Sequence, residues 1–425
     1  MRRRQSLVRC TRALRMLTVL AACNGSPTTG DDLATVDSAD VRITTIARVR
    51  ITTIARAPSP IPEWRLAPAP ERVLTGAESG DSAALSFVGA VRWLADRGLV
   101  IADVGATRLL IYDSTGAYRR TLGRRGAGPG EFRDVSSVSV VAGDTFTTFD
   151  GSLRRLSIWH PTTGFIRQIG LVDAGSLEAW PADAWLWQDS LVVVLQLAIT
   201  PRPAVATGET VRRWPMRAHL TLRDKSGRAL RTSPTFDGMY TGISATGDTR
   251  LPFSNEPFVA VARDRVYFGS GATFRLSYVT AEFVLGGEVR WPTQQEELTR
   301  AEIEQVREEA YELMVQRLPP ERARARLAMN FLPEILPEHR PEIGRVLIDP
   351  DERLWVERFE ALRLGSRLQK PGDRWTVLAP DGKPIARLLL PPNTRLEGIR
   401  GDRVAVVQRD SLDIQTVAIY SLSRP

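Results

Sequence analysis

Cysteine, histidine, lysine and asparagine are all scarce in this 425-residue chain. The two cysteines, Cys10 and Cys23, lie near the N-terminus, so the body of the chain can hold neither a disulfide framework nor a cysteine-based zinc site. The three histidines are His160, His219 and His339. His160 closes an outer-half strand and His339 falls in an insertion, so no histidine zinc site is expected, and no other metal or cofactor. Gly-x-Ser-x-Gly does not occur, which removes that serine-hydrolase signature. All but three of the 57 basic residues are arginine, the exceptions being Lys225, Lys370 and Lys383. GC-rich codon usage produces this bias by itself, so it carries little functional weight. What is present is ordinary for a globular protein: 43% hydrophobic and 25% charged residues, which excludes wholesale disorder.

The formal net charge of +8 suggests a polyanionic partner at first sight. Its distribution says otherwise. Residues 1–22 carry six arginines and no acid, followed by a short apolar stretch from Met16 to Ala22 that is too short to span a bilayer. A basic segment, a short apolar one and small residues before a break form a signal peptide. The break, Leu20-Ala21-Ala22-Cys23, resembles the lipobox of bacterial lipoproteins. That resemblance implies cleavage before Cys23, lipid attachment at Cys23 and a membrane held through the lipid anchor. Asn24 after the cysteine favours the outer membrane of the cell envelope. Removing residues 1–22 lowers the net charge from +8 to +2, so nucleic acid is not an expected partner.

Residues 23–60 read as a flexible tether rich in Gly, Ser, Thr, Asp and Pro. It contains a tandem octapeptide, in which Val41 to Arg48 is repeated as Val49 to Arg56. This reads as a duplication tolerated by a linker.

The fold is set by an internal repeat. A turn residue followed by alternating apolar positions recurs at residues 98, 144, 189, 264, 352 and 402. A second apolar run follows each, as in Arg108 to Asp113 or Arg155 to Trp159, and in five of the six a glycine turn comes next. A period of about 45–50 residues with four short strands per unit is propeller spacing. Residues 61–425 are thus expected to form an all-β, six-bladed β-propeller. The sixth unit lacks an outer strand, which Trp64 to Leu66 or Arg72 to Leu74 can supply.

The first unit ends in Leu122-Gly-Arg-Arg-Gly-Ala-Gly-Pro-Gly-Glu-Phe132. A phosphate loop is the competing reading of these glycines, but no Lys-Ser/Thr follows. The segment resembles the signature of NHL-repeat propellers and of a broad set of largely uncharacterised bacterial six-bladed propeller lipoproteins. It implies a sharp turn between blades with Phe132 wedged at their interface.

Residues 293–340 are the exception, a helical insertion between blades four and five. Thr299 and Glu302 form a capping box, and Ile303, Val306, Ala310 and Leu313 form an apolar stripe. Pro319-Pro320 ends this helix, and a second can run from Glu321 to Phe331.

Ligand sites of propellers cluster where inner strands begin. Those positions carry Arg133, Asp134, Glu178, Glu256, Arg340, Glu342, Arg395 and Glu397. Such a ring suits an anionic glycan or peptide, or a divalent metal through its carboxylates. Six-bladed lactonases use a Glu/Asn/Asp set there, but Asn24, Asn255, Asn330 and Asn393 are the only asparagines in this chain. Asp103 and Asp150, at the ends of second strands, are expected to cap turns. The sequence therefore favours a monomeric envelope lipoprotein whose non-catalytic propeller binds a protein, peptide or glycan. The alternative is a metal-dependent hydrolase or lactonase acting at the channel mouth.

Overall fold

The computed structural model describes residues 35–37, 41–46, 48–55, 60–77, 84–141, 145–171, 179–198, 211–244, 247–292, 295–316, 318–359, 374–412 and 414–424. Segments such as Leu99–Asp103 and Phe146–Asp150 are buried at every position. A strand buried on both faces must lie inside a sheet that is covered on both sides. A ring of blades provides that cover.

The strands form six radial antiparallel sheets, each running from the centre outward. Blade one comprises Val88–Trp93, Leu99–Asp103, Arg108–Tyr112 and Tyr118–Leu122. Blade two comprises Ser137–Val140, Phe146–Asp150, Arg155–His160 and Gly164–Gly170. Blade three is built on Ala179–Trp187, Leu191–Ala198 and the long strand Arg212–Arg223, which pairs with both Ala229–Thr232 and Phe236–Ser244. Blade four comprises Phe258–Val261, Arg265–Gly269, Arg275–Thr280 and Leu285–Arg290. Blade five comprises Ile343–Ile348, Leu354–Arg358, Arg374–Leu378 and Pro384–Leu389.

Blade six contributes Thr394–Arg400, Arg403–Arg409 and Gln415–Ser423. Its fourth strand is Arg72–Leu74, which pairs Val73 with Ala418 and Leu74 with Val417. The start of the chain thus closes the ring. Glu63–Leu66, the other candidate, lies between blades five and six and bonds to both, parallel to Pro384–Leu389 and antiparallel to Gln415–Ser423.

Apolar side chains from facing blades form one cluster at every junction. Leu109, Phe132 and Trp159 lie between blades one and two, and Phe149, Leu156 and Val192 between two and three. Trp187 and Val266 join three to four, and Phe258 and Leu354 join four to five. Trp375 and Val404 join five to six, and Val91 and Ala405 return six to one.

The expected tether is corrected in part. The duplicated octapeptide is a β-hairpin, Val41–Ile46 paired with Val49–Ile54, and the second copy runs parallel to the outer strand of blade four. Its β-branched residues favour an extended chain, and the outer edge of blade four offers unpaired backbone groups. Ile54 is fully buried in the junction with blade five. Arg48 makes the turn at φ +68°. Residues 1–34, including the signal segment and Cys23, lie outside the described residues.

The insertion is helical as expected. Helix α1 spans Arg300–Met314 and helix α2 spans Pro320–Asn330. Thr299 Oγ1 accepts from the Glu302 amide at 3.3 Å, but the Glu302 carboxylate turns to Arg340 rather than completing the box. Val306, Ala310, Leu327 and Phe331 pack on Phe253 and Phe359, with Met314 at the end of the stripe where Leu313 was expected. The insertion therefore sits on the loops of blades three to five.

The glycine-rich loop behaves as its sequence implies. Gly123 adopts φ +74°, and a Cβ there would lie 2.1 Å from the Phe132 ring. Phe132 is fully buried, 5.2 Å from Trp159 between ring centres. Glu131 fills the loop, accepting from the Gly128 amide at 2.8 Å and from Arg124 Nε at 2.9 Å. The loop amide is thus bonded by the chain's own carboxylate. Gly123→Ala combines an unfavourable φ with a clash against a side chain that cannot retreat. It should destabilise the protein by about 2–4 kcal/mol, seen as a lower denaturant midpoint. A midpoint unchanged from the parent chain would refute the wedge role of Phe132.

Candidate functional site

Second strands end, and inner strands begin, on the face that carries the insertion. Two buried aspartates, Asp103 and Asp150, fix the backbone there, and a third, Asp349, does so on the opposite face, between the inner and second strands of blade five. Asp103 accepts from the amides of Ser86 and Phe87 and from Arg108 Nε, all at 3.1 Å. Asp150 accepts from the Arg133 amide at 2.8 Å and the Leu153 amide at 2.8 Å. Asp349 accepts from the amides of Asp351 and Arg353 and from Trp355 Nε1. Asp150 caps the turn that follows it, as the sequence reading expects, and Asp349, which that reading did not single out, does the same. Asp103 instead caps the start of its own blade's inner strand.

The inner strands line the central channel, and their polar side chains meet across it. Glu397 is buried and lies 2.7 Å from Arg395, 3.0 Å from Arg345 and 3.2 Å from Arg92. These residues come from blades six, five and one. Arg345 also binds Glu357 through two nitrogens, at 2.6 and 3.1 Å. Asp183, at a bulge in the inner strand of blade three, accepts from Ser137 of blade two and from the Ala184 amide.

The two buried acids respond oppositely to this setting. Burial alone raises the Glu397 carboxyl, but the guanidinium charges of Arg395, Arg345 and Arg92 together hold it below the ordinary range. Burial pushes the Asp183 carboxyl up to about 6, because the hydrogen bonds and the charge of Arg92 offset only part of the desolvation.

The eight expected mouth residues are not brought together as one ring. Arg395 and Glu397 join the channel cluster. Arg340 and Glu342 line a cavity farther out. Arg133 is exposed, and Asp134 accepts from Ser136 Oγ at 2.7 Å. Glu256 precedes the inner strand of blade four, and Glu178 lies outside the described residues. The reading by strand starts missed Arg92, Asp183, Arg345 and Glu357. Arg92, Asp183 and Arg345 sit within inner strands, where alternation turns their side chains to the axis, and Glu357 lies on the second strand of blade five, paired with Arg345. Among the described residues, no group of three or more His, Cys, Asp or Glu side chains is placed to hold a metal ion.

The cavity measures about 190 Å³ and lies between blades four and five beneath the insertion. Phe274 and Trp291 form an apolar wall, with rings edge to face at 5.3 Å. Arg340 and Arg358 face it together with Glu296, Glu342 and Glu357. The two ends of the insertion are zipped at its base, Leu298 to Glu338 and Arg340 to Glu296 through backbone hydrogen bonds at 3.0 and 2.9 Å. Glu357 links this cavity to the channel through Arg345.

Residues 78–147 match the model of a family described as a 6-bladed beta-propeller, DUF5128, a stretch that covers blade one and the inner strand of blade two. No curated protein matches the sequence. Among solved structures, the chain is similar to a member of the duf4221 family from Bacteroides vulgatus, at 10% identity and a TM-score of 0.46, covering 86% of this chain and 98% of that one. It is similar to a gluconolactonase from Xanthomonas campestris at 11% identity and a TM-score of 0.42, covering 86% and 99%. It is also similar to a virginiamycin B lyase from Staphylococcus aureus at 9% identity and a TM-score of 0.39, covering 84% and 99%. Likenesses this distant transfer neither activity nor ligand.

Glu397→Gln leaves three channel arginines without their shared counter-charge and should cost about 3–5 kcal/mol of stability. A cost below about 1 kcal/mol in equilibrium unfolding would show that the cluster does not hold the blades together. Asp183 behaves in the reverse sense. Its native form keeps a proton that the unfolded chain loses, so its contribution is full below about pH 4 and is lost as pH rises through about 6. Asp183→Asn should therefore raise stability at pH 8 by roughly 1–3 kcal/mol and flatten the decline between pH 4 and 6. Parallel pH–stability curves for the two proteins would contradict this.

Proposed function

We propose that the chain is a cell-envelope lipoprotein, anchored through Cys23 in the outer membrane, whose propeller binds a protein, peptide or glycan without transforming it. The observation that carries the binding reading is the pairing of Glu397 with Arg92, Arg345 and Arg395. Carboxylates used for metal-assisted or general acid–base hydrolysis converge on a shared space, free to take a proton or an ion. Here the central carboxylate is held ionised by three guanidinium groups, an arrangement that stiffens the ring. The outward face, by contrast, gathers the insertion, the cavity and the long loops of blades three to five. A rigid ring of loops with a shaped recess suits recognition, although the fold alone does not dictate it. The net charge near zero of the mature chain agrees with a discrete ligand rather than a polyanion.

Among the described residues, no helix is long and apolar enough to cross a membrane. In this reading the anchoring element is the lipid at Cys23, implied by the lipobox-like segment before it. Cells fed a clickable fatty-acid analogue should label the wild-type chain and not Cys23→Ala; label that persists in the variant would sink the anchor. For the binding face, a photo-crosslinking amino acid at Glu308, exposed on α1, should capture a partner in intact cells. The same probe at Leu389, which is 66% exposed on the outer edge of blade five, should not. Equal crosslinking at both positions would refute the face assignment.

A further inference from the structure

The cavity between blades four and five contains a carboxylate already seated on two arginines. Glu296, from the first turn of chain entering the insertion, bridges Arg358 and Arg340, with Arg340 Nη1 at 3.7 Å and Arg358 in direct contact. The Glu296 side chain remains 54% exposed. An ion pair this open to water is worth about 0–1 kcal/mol, so it holds its place weakly. Arg340 Nε, which is buried, has no acceptor among the described residues. Beside the arginines stands the apolar wall of Phe274 and Trp291.

We propose that this cavity is a carboxylate-binding pocket for the C-terminus of a peptide ending in a large apolar residue, and that Glu296 occupies it as an internal stand-in until the ligand displaces it. The inference rests on the reading of the insertion face as a binding surface and names the ligand class for it. A free carboxylate would replace Glu296 on Arg358 and Arg340 at nearly equal electrostatic cost, since one ion pair is exchanged for another. The gain comes from the apolar side chain, which leaves water for the Phe274–Trp291 wall. Size points the same way. At about 190 Å³ the cavity falls short of the ~300–1,000 Å³ that encloses a drug-sized ligand, and fits the end of a chain. A uronic acid supplies the carboxylate but brings several hydroxyls that need partners. The polar lining is already engaged, with Glu342 accepting from the Phe274 amide and Glu357 held by Arg345.

The test is calorimetric titration of the purified full chain with N-acetyl-Ala-Phe and with its C-terminal amide. The free acid should bind about tenfold tighter than the amide, the usual scale of one charge-assisted contact. Glu296→Gln should tighten binding of the acid several-fold by removing the competitor. Arg358→Ala should weaken it by about tenfold, with unfolding curves confirming that both variants are folded. Equal affinity for acid and amide, no binding of either, or unchanged affinity in Glu296→Gln would overturn the proposal. Binding of a galacturonate trimer in place of the dipeptide would also overturn it, as a glycan site. Failure here with crosslinking from Glu308 intact would strike the ligand class alone, whereas loss of both would strike the binding face itself.

Discussion

Each blade buries one face against the sheet before it and the other against the sheet after it. No apolar cluster in the ring is therefore complete until the last blade meets the first. That single constraint explains why a strand from before blade one, Arg72–Leu74, is spliced onto the far end of the chain. It also explains why Glu63–Leu66 spans blades five and six. The closing strands tie residues separated by hundreds of positions, so the clusters at the closing junctions, Val91 with Ala405 and Trp64 with Trp355, depend on contacts of high loop-closure cost. Apolar burial supplies most of the return on that cost.

Two sets of buried polar groups stand out in this apolar ring, and both are bonded within the chain. At strand ends on the insertion face, buried aspartates tie down backbone amides that the strand ladders leave unpaired. Along the axis, Glu397 converts three cations that would repel one another into a link between blades one, five and six. Because Glu357 shares Arg345 with Glu397, the outer cavity and the axis belong to one charge network.

The strand period was legible in the sequence because the units repeat the same alternation and five of the six carry a glycine turn. Asp113, Asp224 and Asp381 each accept an amide two residues on, and each precedes a glycine at positive φ. The wedge of Phe132 was legible through the glycine-rich segment Leu122 to Phe132 and the signature it resembles. The hairpin of residues 41–54 was not, because composition flags Gly, Ser, Thr and Asp as linker-like while pairing depends on an edge that only the folded blade provides. Half of the candidate site was legible. Arg340, Glu342, Arg395 and Glu397 stand at strand starts. Arg92, Arg345 and Glu357 do not, and which side of a strand faces the axis is decided by register, not by residue type.

The duplicated octapeptide carries one more implication. Its two copies pair antiparallel, with Val41 opposite Ile54 and Ile46 opposite Val49, Arg42 opposite Thr53 and Thr45 opposite Arg50. The pairing scheme reads the same from either end, so the peptide is its own complement. A single copy on the rim of blade four would present that complementary edge outward, where an identical molecule could meet it. By carrying the partner within the same chain, the protein satisfies a self-recognising strand internally and removes the template for association through it.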